Sequence, residues 1–123
     1  MKTYGMELIL DLHGCNPATF NRKCIKAYFK ALCDQINMVR EKLVWWDYHG
    51  QPEEYKTSPP HLRGVTAVQF ITTSNVTIHT LETLKRVYLN IFACGVFDAD
   101  VATELSVGWF GGKVISKHVI ERL

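Results

Sequence analysis

The stretch from Thr66 to Gly95, TAVQFITTSNVTIHTLETLKRVYLNIFACG, limits the possible folds more than any other part of the chain. It begins in a β-branched and aromatic run that includes Val65, Thr66, Val68, Phe70, Ile71 and Thr72. It then alternates through Val76 and Ile78 to His79, and a second apolar run from Val87 to Ala93 ends at Cys94-Gly95. Such side chains fit a pleated, half-buried surface, so these segments are expected to be strands of one sheet. Thr80 to Arg86 joins them as a loop or a helical turn. On or beside the strands lie the hydroxyl of Ser74, the imidazole of His79 and the thiol of Cys94, group types that nucleophilic and acid–base chemistry needs. The same three residues also serve as a turn residue, a satisfied polar side chain and a small buried hydrophobe.

The flanks supply helices and further strands. Tyr4 to Leu12 reads as a first strand, turned by His13-Gly14. Asn16-Pro17 then forms a helix start, with Asn as cap and Pro in the first helical position. The helix is expected over Ala18 to Asn37, because Ile25, Tyr28, Leu32 and Ile36 recur at helical spacing and form one apolar stripe. Arg22, Lys23, Lys26, Lys30 and Asp34 fall on the other side as a solvated face. Cys24 flanks the stripe, and Cys33 is expected nearer the polar edge. Leu43 to Tyr48 is a second strand, on which Trp45 and Trp46 point to opposite faces. His49 to Leu62 is the longest loop signal. After Gly95, Asp98 or Asp100 can cap a second helix that runs to about Trp109 and stops at Gly111-Gly112. Lys113 to Ile120 alternates and closes the chain as a last strand.

The order is β-α-β, three strand-like segments, then α-β. It predicts an α+β protein: a two-layer α/β sandwich with a mostly antiparallel sheet and two helices on one face. One domain over residues 1–123 suits this length. The outer sheet face would need cover or a dimer partner.

Composition removes several function classes. Net charge is +2 with Lys and Arg dispersed along the chain, which is not a nucleic-acid footprint. No run approaches a membrane span. Leu8-Ile9-Leu10 is bracketed by Glu7 and Asp11, so no signal peptide is read at the N-terminus. Cys15, Cys24, Cys33 and Cys94 contain no CxxC pair, and a reduced, cytoplasmic protein is expected. A metal hydrolase built on His13, Cys15, His61 or His79 lacks any established ligand spacing, so no metal site is expected.

With these residues in view, the chain resembles the small prokaryotic S-adenosylmethionine decarboxylase proenzymes over nearly its whole length. LDLHGCNP is similar to the family's D-L-x-G-C-x-P. GVTAVQFITTSNVTIHT is similar to its G-V-[ST]-x(5)-[SA]-E-S-H-[IL]-[ST]-I-H-T-W-P-E, and NIFACG resembles its D-[IV]-F-T-C-G. The offsets from Ser74 to His79 and Cys94, 5 and 20, match the family's spacing. The resemblance implies a pyruvoyl-dependent lyase of polyamine (spermidine) biosynthesis, made as a zymogen by autocatalytic cleavage at Thr73-Ser74 and assembled as a homodimer.

Carried over position by position, the self-processing serine falls on Ser74, whose hydroxyl would attack the Thr73 carbonyl to give an ester. Elimination and hydrolysis would leave a pyruvoyl group in place of Ser74, and no bound cofactor or metal would be needed. Thr66 falls on the serine that steadies the tetrahedral intermediate. His79 falls on the histidine that removes the Ser α-proton, and Cys94 on the cysteine that protonates the product. The substrate-binding positions fall on Pro60 and Leu81, with Glu82 one residue out of register with the family's glutamate. The chain departs from the family where Thr73 and Asn75 stand for Glu and His, and where Pro60 and Leu81 stand for aromatic residues that stack adenine. Those departures leave two other readings open: an unprocessed homolog that binds a small molecule or a partner subunit, and a decarboxylase of another amino acid.

Overall fold

The computed structural model describes residues 2–123. Six strands form one sheet: β1 (Gly5–His13), β2 (Arg40–Trp46), β3 (Gly64–Ile71), β4 (Ser74–Leu81), β5 (Arg86–Ala93) and β6 (Lys113–Arg122), in the order β2-β3-β4-β5-β1-β6. Every neighbouring pair is antiparallel. The long helices α1 (Arg22–Gln35) and α3 (Ala99–Phe110) pack over the sheet, and a short α2 (Pro52–Thr57) lies between β2 and β3.

Strand alternation sorts side chains onto two unlike faces. One row across the sheet reads Ala67, Ile78, Leu89 and Leu10, all buried. The helices cover this closed face. Ile25, Phe29 and Leu32 from α1 and Ala102 and Phe110 from α3 join the same core. Tyr28 and Phe110 rings meet at 4.7 Å. The buried Tyr28 hydroxyl is satisfied by Ser106 Oγ at 2.7 Å, and burial pushes its phenol pKa up. Trp109 Nε1 donates to the Cys24 carbonyl at 3.1 Å, tying α3 to α1. The next row over reads Trp46, Thr66, His79, Tyr88 and Asp11. It lies on the opposite, open face, away from α1 and α3.

Several expectations are corrected in detail. The first helix starts at Arg22, not Ala18. Asn16 caps only a 3-10 turn at Pro17–Thr19 through Ala18 N, and Asn21 Oδ1 caps α1 by accepting from Cys24 N at 2.9 Å. Two good caps follow closely, and each closes its own turn. Cys33 is fully buried, and burial pushes its thiol up to about 11. Arg22 is not simply solvated: it holds Asp47 through two hydrogen bonds of 2.8 Å and lies over the Trp45 ring. The long loop contains α2, started by Pro52 with Glu53 and Glu54 in its first turn. Of the two residues read as possible caps, Asp98 is the one that caps α3.

Candidate functional site

The scissile peptide of the sequence reading sits in the tightest turn of the sheet. Ile71 pairs with Ser74, so only Thr72 and Thr73 link β3 to β4. Both are exposed, whereas Ser74 is 8% exposed. Thr73 has φ +53°, and Asn37 and Lys85 are the other non-glycine residues with positive φ among the described residues. A β-branched residue is a true outlier there. Thr73 Oγ1 donates to the Thr72 carbonyl at 2.8 Å.

Cys94 follows β5 and meets this turn. Its backbone N–H donates to Ser74 Oγ at 2.8 Å, and its thiol lies 3.6 Å from the Thr72 carbonyl oxygen. The hydroxyls of Thr73 and Ser74, in that order of weight, hold the Cys94 thiol below its ordinary value of 9.0. Gly5 permits this approach. A Cβ there would fall 2.0 Å from the Ala93 carbonyl oxygen, so β1 can lie against the Ala93-Cys94 peptide only without a side chain.

His79 and Thr66 form a separate pair. They are direct cross-strand partners, and Thr66 Oγ1 lies 3.0 Å from His79 Nδ1. That contact leaves Nε2 of the ring for other work. The pair is not beside Ser74. Ser74 belongs to the buried series Ser74, Val76, Ile78 and Thr80, while His79 belongs to the other series. Five residues of strand place them about 16 Å apart along β4. The structure therefore brings Ser74 to Cys94 and Thr66 to His79, and separates the two pairs.

Two clefts lie on the Thr66 side, and a third of about 240 Å³ is lined by Asp11, Thr77, His79 and Tyr88. A cleft of about 640 Å³ is lined by Trp46, Tyr48, His49, Leu62 and Thr66, among others. An adjoining one of about 410 Å³ is lined by Tyr48, Tyr55, Val65 and Glu82. Glu82 accepts a hydrogen bond from the Tyr55 hydroxyl and pushes that phenol's pKa up. Pro60 begins an exposed 3-10 turn, and Leu81 ends β4 half-buried; neither lines these clefts. The sequence reading missed the anchoring of Glu82 by Tyr55 and of Asp47 by Arg22, since both cross between distant segments. It did hold a signal for the separation: an odd offset on a strand puts two residues on opposite faces. Among the described residues, no group of three or more His, Cys, Asp or Glu side chains could hold a metal ion.

Comparison with known proteins identifies the family. The profile of the family described as S-adenosylmethionine decarboxylase matches residues 6–123. The S-adenosylmethionine decarboxylase proenzymes of Methanococcus maripaludis strains C5 and C6 are each 32% identical over 96 residues, covering 77% of this chain and 69% of theirs. The crystal structure of the adenosylmethionine decarboxylase from Aquifex aeolicus VF5 superposes with a TM-score of 0.76 over 99% of this chain and 92% of that one. At 22% identity, this is a likeness of fold.

Proposed function

The chain belongs to the S-adenosylmethionine decarboxylase family, and from that premise we propose that it is a pyruvoyl-dependent S-adenosylmethionine decarboxylase that cuts itself at Thr73-Ser74. The reading rests chiefly on the meeting of Ser74 with Cys94, 20 residues apart in the chain, at an exposed turn. Ser74 Oγ can reach the adjoining Thr73 carbonyl carbon by closing a five-membered ring. Its attack forms an ester and frees the Ser74 nitrogen, which takes the hydroxyl proton. Thr66 donates a hydrogen bond to the developing oxyanion. His79 removes the Ser74 α-proton, which opens the ester by elimination.

The residues present fit the pyruvoyl group: a serine at the cut and a thiol against it. Such a group supplies an electron-withdrawing carbonyl that accepts the electron pair released by loss of carbon dioxide. Cys94 Sγ delivers a proton to the carbon that lost it. Substrate is held from the Thr66 side, with Glu82 reaching it from the second cleft.

One protomer does not complete this site, because about 16 Å of strand separates Ser74 from His79. We infer a homodimer in which each site takes Ser74 and Cys94 from one copy and Thr66 and His79 from the other. The open sheet face supports this assembly. It exposes Val44, Trp46, Phe70 and Ile120 without cover, and two sheets can pack face to face about 10 Å apart. A cytoplasmic location accords with four free thiols; among the described residues, no helix is long and apolar enough to cross a membrane.

The test is coexpression of Ser74→Ala and His79→Ala chains, followed by intact mass. Wild type should yield fragments 1–73 and 74–123, the second with a blocked N-terminus. Ser74→Ala alone should stay whole, and His79→Ala alone should stall as an ester that hydroxylamine cleaves. Together, the His79→Ala chain should be cut by the histidine of its partner. Uncut wild type overturns the enzyme reading. Cut wild type with no rescue in the mixture overturns only the shared site.

A further inference from the structure

The departure at Thr73 looks like a handicap, since a β-branched side chain crowds the carbonyl that must be attacked. Its backbone suggests the opposite. Of the non-glycine residues with positive φ, Thr73 at +53° is the β-branched one, alongside Asn37 and Lys85. In the left-handed region, Cβ is forced against the residue's own following carbonyl oxygen. For Thr73 that oxygen belongs to the Thr73-Ser74 peptide. The strained contact and the bond to be cut therefore share one carbonyl group.

Such a conformation persists only where its surroundings impose it. Here they do. The turn is closed by the Ile71–Ser74 pair. The Thr73 hydroxyl is held on the Thr72 carbonyl at 2.8 Å. Ser74 Oγ is held by Cys94 N–H at 2.8 Å, and the Cys94 thiol faces the Thr72 carbonyl at 3.6 Å. The backbone on both sides of the scissile bond is thus fixed by β3, β4 and the segment after β5. Thr73 cannot relax while the peptide is intact.

We propose that Thr73 is a positioning residue that drives self-cleavage: its left-handed backbone strains the scissile carbonyl, and attack by Ser74 releases that strain. The inference rests on the self-cleavage reading above. In the step itself, a bond forms between Ser74 Oγ and the Thr73 carbonyl carbon. The bond from that carbon to the Ser74 nitrogen breaks, and the hydroxyl proton moves to the nitrogen. No oxidant or second reactant is consumed. As the carbon becomes tetrahedral, its oxygen leaves the peptide plane and moves away from Cβ. Once the rigid amide has become an ester, the Thr73 backbone is free to turn. The hydroxyl of Thr73 holds the turn, and the branched Cβ makes the turn costly.

This predicts opposite signs for stability and cleavage, which a purely structural role would not produce. Thr73→Gly and Thr73→Ser are made in the full chain, and cleavage is followed by mass as newly refolded protein is incubated. The same substitutions are placed in the Ser74→Ala chain, where the uncut protein can be melted. Glycine accepts positive φ at no steric cost. In the Ser74→Ala chain it should raise the melting temperature, yet slow cleavage roughly tenfold in the otherwise native chain. Serine keeps the hydroxyl and loses the branch, so it should fall between threonine and glycine in both measurements. Cleavage of Thr73→Gly at or above the wild-type rate overturns the proposal. So does a Ser74→Ala melting temperature that glycine leaves unchanged or lowers. Thr73→Ser cleaving as fast as wild type would assign the effect to the hydroxyl and also overturn it. Wild type that never cleaves is a separate result, since it removes the self-cleavage reading and this inference with it.

Discussion

Two neighbouring rows of the sheet, one residue apart on every strand, differ in almost every physical respect. Ala67, Ile78, Leu89 and Leu10 lie under α1 and α3 with essentially no exposure. Trp46, Thr66, His79, Tyr88 and Asp11 lie on the face away from α1 and α3, and Trp46 is 83% exposed. The closed row is aliphatic and contributes burial. The open row is polar and aromatic and contributes reactive groups. One sheet thus divides its labour by face: burial against the helices holds the protomer, and the other face carries the proposed chemistry and the proposed contact with a second copy. The Ser74 turn stands at the end of the strands, where both faces can be reached.

The contrast can be broken first from the closed side. Phe110→Ala removes a fully buried ring that packs on Tyr28 and Phe20. It should cost about 3–5 kcal/mol, read as a fall in the denaturant midpoint of the Ser74→Ala chain. A loss under about 1 kcal/mol would mean that the helical layer is not the core described here. From the open side, Phe70→Lys changes an exposed ring on β3. It should leave the protomer folded by circular dichroism but weaken dimer association by about 2 kcal/mol in sedimentation equilibrium. Cleavage should slow in step. An unchanged dimer would place the interface elsewhere.

The smallest effect concerns the thiols. Cys94 lies below its ordinary 9.0 because two hydroxyls stabilise the thiolate, while burial pushes Cys33 up to about 11. The thiolate is the form that reacts with iodoacetamide, so a lowered pKa moves the alkylation midpoint to lower pH. In newly refolded, still uncut protein, which keeps both hydroxyls, Cys94 should alkylate with a midpoint below 9.0 while Cys33 stays inert. A Cys94 midpoint at or above 9.0 would show that the hydroxyls do not reach the sulfur.

Much of this architecture was legible before any coordinates. Val65 to Ala93 alternates strongly enough to specify strands, and Ile25, Tyr28, Leu32 and Ile36 mark the buried stripe of α1. The spacing of Thr66, Ser74, His79 and Cys94 pointed to the family that residues 6–123 match. The start of α1 was misplaced because Asn16 and Asn21 are both competent caps, and local chemistry does not rank them. Cys33 was misjudged because the core closes around more of α1 than one stripe. Arg22 with Asp47 and Tyr55 with Glu82 could not be foreseen, since each pair joins segments 25 or more residues apart.

Periodicity, caps and residue types act over a few neighbours, and they were enough to determine which segments become strands and helices and which side chains can react. Where those side chains stand relative to one another was decided only when the sheet assembled. Register made Thr66 the partner of His79, brought Cys94 against Ser74 and kept the two pairs apart. Turn closure also held Thr73 in a conformation that its own side chain disfavours. A local preference of that size yields when many contacts across the sheet are satisfied together.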